Sequence, residues 1–202
     1  MKVTKEKAAQ NRATLVQAAG RLFRERGIDG VGVAEICQAA GLTHGALYAQ
    51  FPSKEALAAG LDRSYAYMTA GKDEQPPGLT EYLDLYLSRR LRDNLAGGCP
   101  MAASASEIAR QDESISARFS EGFERTVETI QEALGPSESS ATARQRALAI
   151  VAAMIGGIAV SRAVLKVHPR LGDQILKAVR EVLGEVGGER AMPARRPARP
   201  GQ

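Results

Sequence analysis

Gly41-Leu42-Thr43-His44-Gly45-Ala46-Leu47-Tyr48-Ala49-Gln50-Phe51-Pro52-Ser53-Lys54-Glu55-Ala56-Leu57 is the stretch that decides the fold. Thr43 can accept hydrogen bonds from backbone N–H groups as the N-cap of a helix. Leu47 and Phe51 are four residues apart and therefore face the same, inner side. Pro52 ends this helix, because the residue before a proline avoids the α region. A helix of two turns is marginal alone, so we expect its neighbours to hold it with its polar face exposed.

The residues before this stretch predict a second short helix and a tight turn. Apolar side chains recur at the i, i+3, i+4 and i+7 spacing of an amphipathic helix, at Val33, Ile36, Cys37 and Ala40. Gly41 then supplies the turn. A further apolar stripe lies upstream, and Gly27 is expected to end that helix as its C′ residue. Helix, glycine turn and helix form the helix-turn-helix signature, whose second helix enters the DNA major groove.

Spacing alone leaves two interpretations of this region open. One is a DNA-binding helix-turn-helix, and the other is an ordinary three-helix bundle without a ligand, because the same shape occurs in proteins that bind no DNA.

The run from Leu15 to Leu61 resembles the N-terminal domain of TetR-type (tetracycline-repressor family) transcriptional regulators. The segments that carry the resemblance are Phe23 to Gly27, Ile36-x-x-Ala39-Ala40-Gly41-Leu42, Gly45-Ala46-Leu47-Tyr48 and Phe51-Pro52-Ser53-Lys54-Glu55-Ala56-Leu57. The resemblance implies an all-α protein with palindromic operator double-stranded DNA as its partner.

The same resemblance implies which residues contact DNA. The recognition helix would begin at Thr43, and Tyr48 and Lys54 stand at the positions that bind phosphates. The complete set of implied DNA-binding residues is Thr43, His44, Gly45, Ala46, Tyr48, Ala49, Gln50 and Lys54.

Two positions depart from the family pattern. Gly32 stands where a Thr or Ser usually caps the second helix, and glycine loses the side-chain contact. Ala49 stands where a large aromatic residue or histidine is common. Base recognition would therefore depend on His44, on Gln50, on apolar contacts to thymine methyl groups and on DNA shape.

The rest of the chain is also predicted to be helical, with about nine helices in all and no β pattern. We expect three parts: a helix-turn-helix DNA-binding domain at residues 1–57, an effector-binding and dimerisation domain at 58–187, and a disordered Pro/Arg-rich tail at 188–202. Helix 4 is predicted from about Ser53 to Ala70. A single fifth helix is predicted, with an apolar face formed by Tyr82, Leu83, Tyr86, Leu87 and Leu91.

In TetR-type proteins the C-terminal half holds an effector pocket, which implies a small-molecule partner of unknown identity. The candidate lining residues are Tyr65, Met68, Tyr86, Cys99, Phe119, Phe123 and Met154. The alternative for each is ordinary core packing.

The resemblance also implies a homodimer, because in TetR-type proteins the last two long helices of each subunit form the dimer interface. Gly156 and Gly157 lie inside an apolar helix, where each costs up to about 1 kcal/mol relative to alanine, and a close helix crossing would justify that cost. The candidate interface residues are Ile155, Gly156, Ile158, Ala159, Ile175, Val179 and Leu183. The alternative is that both helices pack within one subunit.

Composition sets further bounds. The net charge of +4 and the pI near 9.2 permit DNA binding without establishing it. Two cysteines do not form a disulfide framework, and they suit a reducing cytoplasm. The apolar run at 147–160 is too short for a membrane span and indicates a buried helix, so no membrane partner is expected. His44 and His168 belong to no cluster with metal-ligand spacing, and neither a metal nor a cofactor is expected.

We therefore expect a homodimeric, cytoplasmic transcriptional regulator, a repressor released from its operator by a small molecule. An effector-independent DNA-binding dimer is the alternative. An α-helical enzyme is a remote one, because no nucleophile–base pair stands out. Cys99 at a helix N-terminus has two interpretations, a thiol sensor of electrophiles or oxidants and a small buried residue in a tight turn.

Overall fold

The protein is described by a computed structural model that covers residues 4–59, 77–135 and 140–188. Over these ranges it contains ten α-helices and no β-strand, which confirms the predicted all-α class. The helices are α1 Lys5–Arg26, α2 Val33–Ala40, α3 His44–Tyr48, α4 Lys54–Ala59, α5 Leu79–Tyr86, α6 Arg89–Asp93, α7 Pro100–Ile108, α8 Glu113–Leu134, α9 Ser140–Leu165 and α10 Pro169–Val186.

Local sequence signals place the ends of the first helices. Gly27 (φ 78°) ends α1 and Gly41 (φ 64°) ends α2, both in the positive-φ range that glycine adopts without strain. The Thr43 hydroxyl accepts from the Ala46 N–H at 3.2 Å, and the Ser53 hydroxyl accepts from the Ala56 N–H at 3.1 Å. The expected helix end at Gly27, the expected turn at Gly41 and the expected N-cap at Thr43 are thus present.

The helix-turn-helix region has its own apolar core. Side chains from α1 to α4 pack together, with Leu15, Ile36, Leu47 and Leu57 fully buried. Ile108 at the end of α7 and Ile115 in α8 belong to the same cluster. The helix-turn-helix is therefore docked on the following helices, and we call α1 to α4 the head and α5 to α10 the body.

The predicted single fifth helix is wrong, because the structure divides it into α5 and α6. Ser88 is the cause: its hydroxyl accepts from the Leu91 N–H at 3.2 Å and caps a new helix. Helix 4 was expected to reach Ala70, but only the part to Ala59 lies within the described residues, and 189–202 of the expected tail lie outside them.

α9 and α10 form the centre of the body. At their crossing, a Cβ on Gly157 would lie 3.2 Å from Cγ1 of Val179, so glycine allows a closer approach than other residues would. α9 is long and apolar enough to cross a membrane, yet 39% of its most apolar window is buried in the subunit. Apolar side chains of α9 are also exposed, among them Ala152, Val160 and Ala163, and the Val160 side chain is 51% exposed.

Candidate DNA-binding and effector sites

α3 presents its polar side to solvent and buries its apolar side. Leu47 and Phe51 are in the head core, whereas His44 and Ala49 are exposed and the Tyr48 side chain is 54% exposed. An exposed tyrosine at the end of a capped two-turn segment is available to a partner. The exposed face of α3 thus consists of residues that the sequence predicts to contact DNA.

The remaining predicted contact residues of α3 surround this face. Thr43 and Gly45 are exposed, and Ala46 and Gln50 are half-buried. These residues form one short surface along α3. Only Thr43, His44, Tyr48 and Gln50 carry side-chain hydrogen-bonding groups on it.

Lys54, the first residue of α4, has a structural contact that the sequence did not predict. Its Nζ donates to the backbone oxygen of Ile28 at 3.0 Å, which ties α4 to the loop between α1 and α2. An ammonium has three N–H donors, so a phosphate contact requires Lys54 to use its other donors or to exchange this bond.

Arg12 on α1 also lies at the recognition helix. Its guanidinium carbon is 4.2 Å from the centre of the Phe51 ring, a cation–π contact. Arg12 and Phe51 are far apart in sequence, and no spacing pattern connects them. The contact places an exposed positive charge beside the C-terminal end of α3.

At the start of α2, Glu35 supplies the side-chain hydrogen bond that Gly32, which has no side chain, does not. Its Oε2 accepts from the Gly32 N–H at 2.9 Å, and its Oε1 pairs with Arg26 at 2.7 Å. These hydrogen bonds lower the pKa of the Glu35 carboxyl, with the Gly32 backbone contributing most. The N-terminus of α2 therefore carries an internal carboxylate where the family pattern places a hydroxyl.

The body holds the predicted effector residues within or against one apolar core. Tyr86, Cys99 and Met154 are buried in it, and Phe119 and Phe123 pack against it only partly buried. Tyr65 and Met68 lie outside the described residues. The structure thus brings five of the seven candidates to the same core.

Burial governs the acid–base properties of this core. It raises the pKa of Tyr82 to about 12, raises that of Tyr86 well above its usual value, and raises that of the Cys99 thiol. The Tyr82 and Tyr86 rings stack with centroids 6.4 Å apart. All three groups are consequently protonated at neutral pH, and the raised pKa of Cys99 disfavours the reactive thiolate.

The predicted dimer residues fall on two different faces. Ile155, Ile158 and Leu183 are buried in the subunit's own core, and Val179 packs on Gly157. Side chains that face their own core have little surface left for a partner, and the place of these four residues in a dimer interface stays a prediction.

Gly156, Ala159 and Ile175 are only partly buried. Apolar residues that the sequence analysis did not select share the exposed face of α9 and α10, namely Ala152, Val160, Ala163, Leu171, Ala178 and Val182. Their three- and four-residue spacing was visible in the sequence. The sequence did not reveal which of the two apolar faces the subunit itself buries.

The described part of the chain contains no group of three or more His, Cys, Asp or Glu side chains that could hold a metal ion.

Comparison with known proteins agrees with this architecture. Residues 15–61 match the family described as bacterial regulatory proteins, tetR family. Residues 78–169 match the C-terminal domain described as transcriptional regulator LmrA/YxaF-like. The HTH-type transcriptional regulator TtgR of Pseudomonas putida is 29% identical over 128 residues, which are 55% of this chain and 61% of TtgR.

Solved structures share the fold across most of the chain. NemR of E. coli in its reduced form superposes with a TM-score of 0.68 at 18% identity, covering 92% of this chain and 99% of NemR. A TetR-family regulator from Agrobacterium tumefaciens gives 0.64 at 20% identity, covering 87% and 98%. The two family matches lie on the head and on the body, respectively, and the chain is a member of the TetR family of transcriptional regulators.

Proposed function

We propose that this protein is a cytoplasmic homodimeric repressor that binds a palindromic operator in double-stranded DNA and is released from it by a small molecule. The observation that carries the proposal is the capped α3, which buries Leu47 and exposes His44, Tyr48 and Ala49. A short helix with this division of faces fits the DNA major groove.

The contacts divide into two kinds. The Tyr48 hydroxyl and the Lys54 ammonium bind phosphates and fix the position of the head, while carrying no sequence information. His44 and Gln50 contact base edges, and Ala46 and Ala49 can contact thymine methyl groups. Because few side chains contact bases, sequence-dependent DNA shape supplies part of the specificity.

The exposed face of α9 and α10 supports the dimer. Val160, Leu171 and Val182 are large apolar side chains exposed on this face. Exposed apolar surfaces of this kind mark interaction sites. A second copy of the chain is a better partner for this face than a membrane. Charged residues such as Lys177 and Glu181 lie between the apolar positions of α10, and they would be costly to place in lipid.

The two-fold symmetry of a palindromic operator also supports a homodimer. A two-fold protein presents two recognition helices to successive major grooves, about 34 Å apart. A palindromic operator follows from that arrangement. An effector that binds better to a state with a different separation of the heads would then release the DNA.

Selection of binding sequences from a random duplex pool tests the DNA-binding function. The enriched sites should be palindromic. Tyr48→Phe and Lys54→Ala should weaken binding to every sequence, and Lys54→Ala, which removes a charge, should also lower the slope of the salt dependence by about one unit. His44→Ala should instead relax the preference at one base pair in each half-site.

Arg90→Ala is the matched control, because this exposed arginine lies on α6, outside the head and outside the two helices of the proposed dimer face. It should leave both affinity and salt slope unchanged. Normal operator binding by a folded Lys54→Ala variant would exclude the proposed docking. Operator binding that no small molecule in a broad screen weakens would favour the effector-independent dimer.

A further inference from the structure

Tyr86 has a hydroxyl that its described surroundings do not satisfy. The side chain is 2% exposed, and within residues 4–59, 77–135 and 140–188 the hydroxyl makes no hydrogen bond of regular geometry, its polar contact being a weak one with the Cys99 thiol. A buried hydroxyl without a partner destabilises a protein, and native structures retain few of them. This hydroxyl therefore indicates a position where a bound molecule would supply the missing hydrogen bond.

The neighbours of the hydroxyl are weak hydrogen-bonding groups. The Cys99 thiol lies beside it, but a thiol is a poor donor and a poor acceptor. The Tyr82 ring is stacked on the Tyr86 ring. Neither neighbour replaces an oxygen partner for Tyr86.

The charged group near this position is already engaged. Arg162 acts electrostatically on both Tyr86 and Cys99. Its Nε donates to the Arg92 backbone oxygen at 2.8 Å, and an Nη donates to that of Leu91 at 3.0 Å. These bonds hold the guanidinium against the last turn of α6, so an anionic ligand at Tyr86 would give up its hydration for a cation that is fixed elsewhere.

The core that contains Tyr86 is apolar and adaptable. Phe119 and Phe123 are partly buried against the same core, which leaves aromatic surface that a ligand can cover. Met101 and Met154 are buried in the core, and methionine side chains adjust to irregular shapes and pack well on aromatic rings.

We propose that the Tyr86 hydroxyl is the polar anchor of the effector site, and that the effector is an uncharged aromatic molecule with a hydrogen-bond acceptor such as a ketone oxygen. The inference rests on the proposed effector-responsive function and adds the chemical class of the effector. Tyr86 donates its proton to the acceptor, while the aromatic part of the ligand packs against the apolar walls.

Three probes of similar shape test the proposal: 2-acetylnaphthalene, 2-isopropylnaphthalene and 2-naphthoate. Their affinities for the full chain are measured by calorimetry. The ketone should bind about tenfold more tightly than the hydrocarbon, the factor that one hydrogen bond to a buried hydroxyl provides. The carboxylate should bind most weakly of the three.

Tyr86→Phe should remove the preference for the ketone over the hydrocarbon, while thermal stability stays equal or rises because an unpartnered buried hydroxyl is gone. Tyr82→Phe is the matched control and should keep the preference. An unchanged ketone preference in Tyr86→Phe, tighter binding of the carboxylate, or no binding of the ketone to the wild-type protein would each overturn the proposal.

Operator release is measured separately, so the two proposals can fail independently. Ketone binding that depends on Tyr86 but does not weaken operator binding would keep the site and contradict its role in release. Failure to bind any duplex would contradict the proposed function and leave the probe measurements valid.

Discussion

Glu107 accepts a hydrogen bond from the backbone N–H of Asp29, with 2.9 Å between Oε1 and the nitrogen, and so joins the end of α7 in the body to the loop between α1 and α2 in the head. Gln111 donates to the Asp29 carboxylate at 3.2 Å. On the other side of α1, Arg24 Nε donates to the Ala96 backbone oxygen at 2.6 Å. Polar contacts on two sides therefore set the orientation of the head.

Removing the Glu107 carboxylate should loosen the head without unfolding it. In Glu107→Ala the Asp29 N–H loses its protein acceptor, and we expect a loss of about 1 kcal/mol, since water can replace the exposed bond. Hydrogen exchange at the Asp29 amide should accelerate, and operator affinity should fall several-fold. Glu107→Gln keeps an acceptor oxygen and should behave as wild type. Equal exchange rates in both variants would show that this bond does not hold the loop.

Substitutions at the two adjacent glycines of α9 test dimerisation and folding separately. A Cβ on Gly156 meets no described atom within 4 Å, whereas one on Gly157 meets Val179. Gly157→Leu should overpack the α9–α10 crossing and cost the subunit about 1–3 kcal/mol. Gly156→Leu should leave the subunit fold intact, with a gain in helix propensity of up to about 1 kcal/mol, and should weaken the dimer.

Sedimentation velocity over a concentration series measures the Gly156→Leu effect, and thermal unfolding measures that of Gly157→Leu. A Gly156→Leu protein that remains as tightly dimeric as wild type would place the interface on another surface.

Local signals in the sequence were sufficient to predict the helix ends of the head. They did not predict the contacts between residues that are far apart in the chain. Thr43 caps α3 through an N–H three residues away, so residue type and spacing predict the bond. The cation–π contact of Arg12 with Phe51 and the hydrogen bond of Asp29 to Glu107 both join residues far apart in the chain. No periodicity in the sequence encodes such pairs. Ser88 was a missed local signal, because a serine before Arg89 can cap a helix as Thr43 does.

The two faces of α9 show the limit of hydrophobic patterning. Because the helix is apolar on most sides, its periodicity does not separate core positions such as Ile158 from exposed ones such as Val160. The packing of α8 and α10 against α9 decides which face the subunit buries. The predicted interface residues were consequently divided between both faces.

Asp173 should make the stability of the body depend on pH. Its Oδ1 lies 2.9 Å from an Nη of Arg92, whose side chain is almost fully buried, and that hydrogen bond is the main cause of the lowered pKa of Asp173. A carboxyl with a lowered folded-state pKa contributes stability above its unfolded pKa, about 3.9, and loses it as the pH falls through the folded value. Asp173→Asn should lower the melting temperature at neutral pH, and the difference from wild type should shrink below about pH 4.

Glu121→Gln is the matched control for Asp173→Asn. Glu121 pairs with Arg118 on the surface at 2.9 Å, with both side chains about half exposed, and such pairs contribute little. Its melting temperature should follow that of wild type across the pH range. A gap between Asp173→Asn and wild type that is independent of pH would mean that the carboxylate acts through packing and not through its charge.

Cys99 should be unreactive in the native protein. The thiol is buried, burial is the largest cause of its raised pKa, and the thiolate is the species that attacks electrophiles. We expect N-ethylmaleimide to leave the folded protein unmodified over a period in which it fully alkylates the unfolded protein, with adducts counted by mass spectrometry. Operator affinity should be the same before and after treatment, in wild type and in Cys99→Ser alike. Cys37 is also buried with a raised pKa, so a Cys37→Ser variant identifies the site of any adduct that forms. Rapid alkylation at Cys99, with operator release that the Cys99→Ser variant lacks, would instead establish the thiol as a sensor and would require the loop before α7 to open in solution.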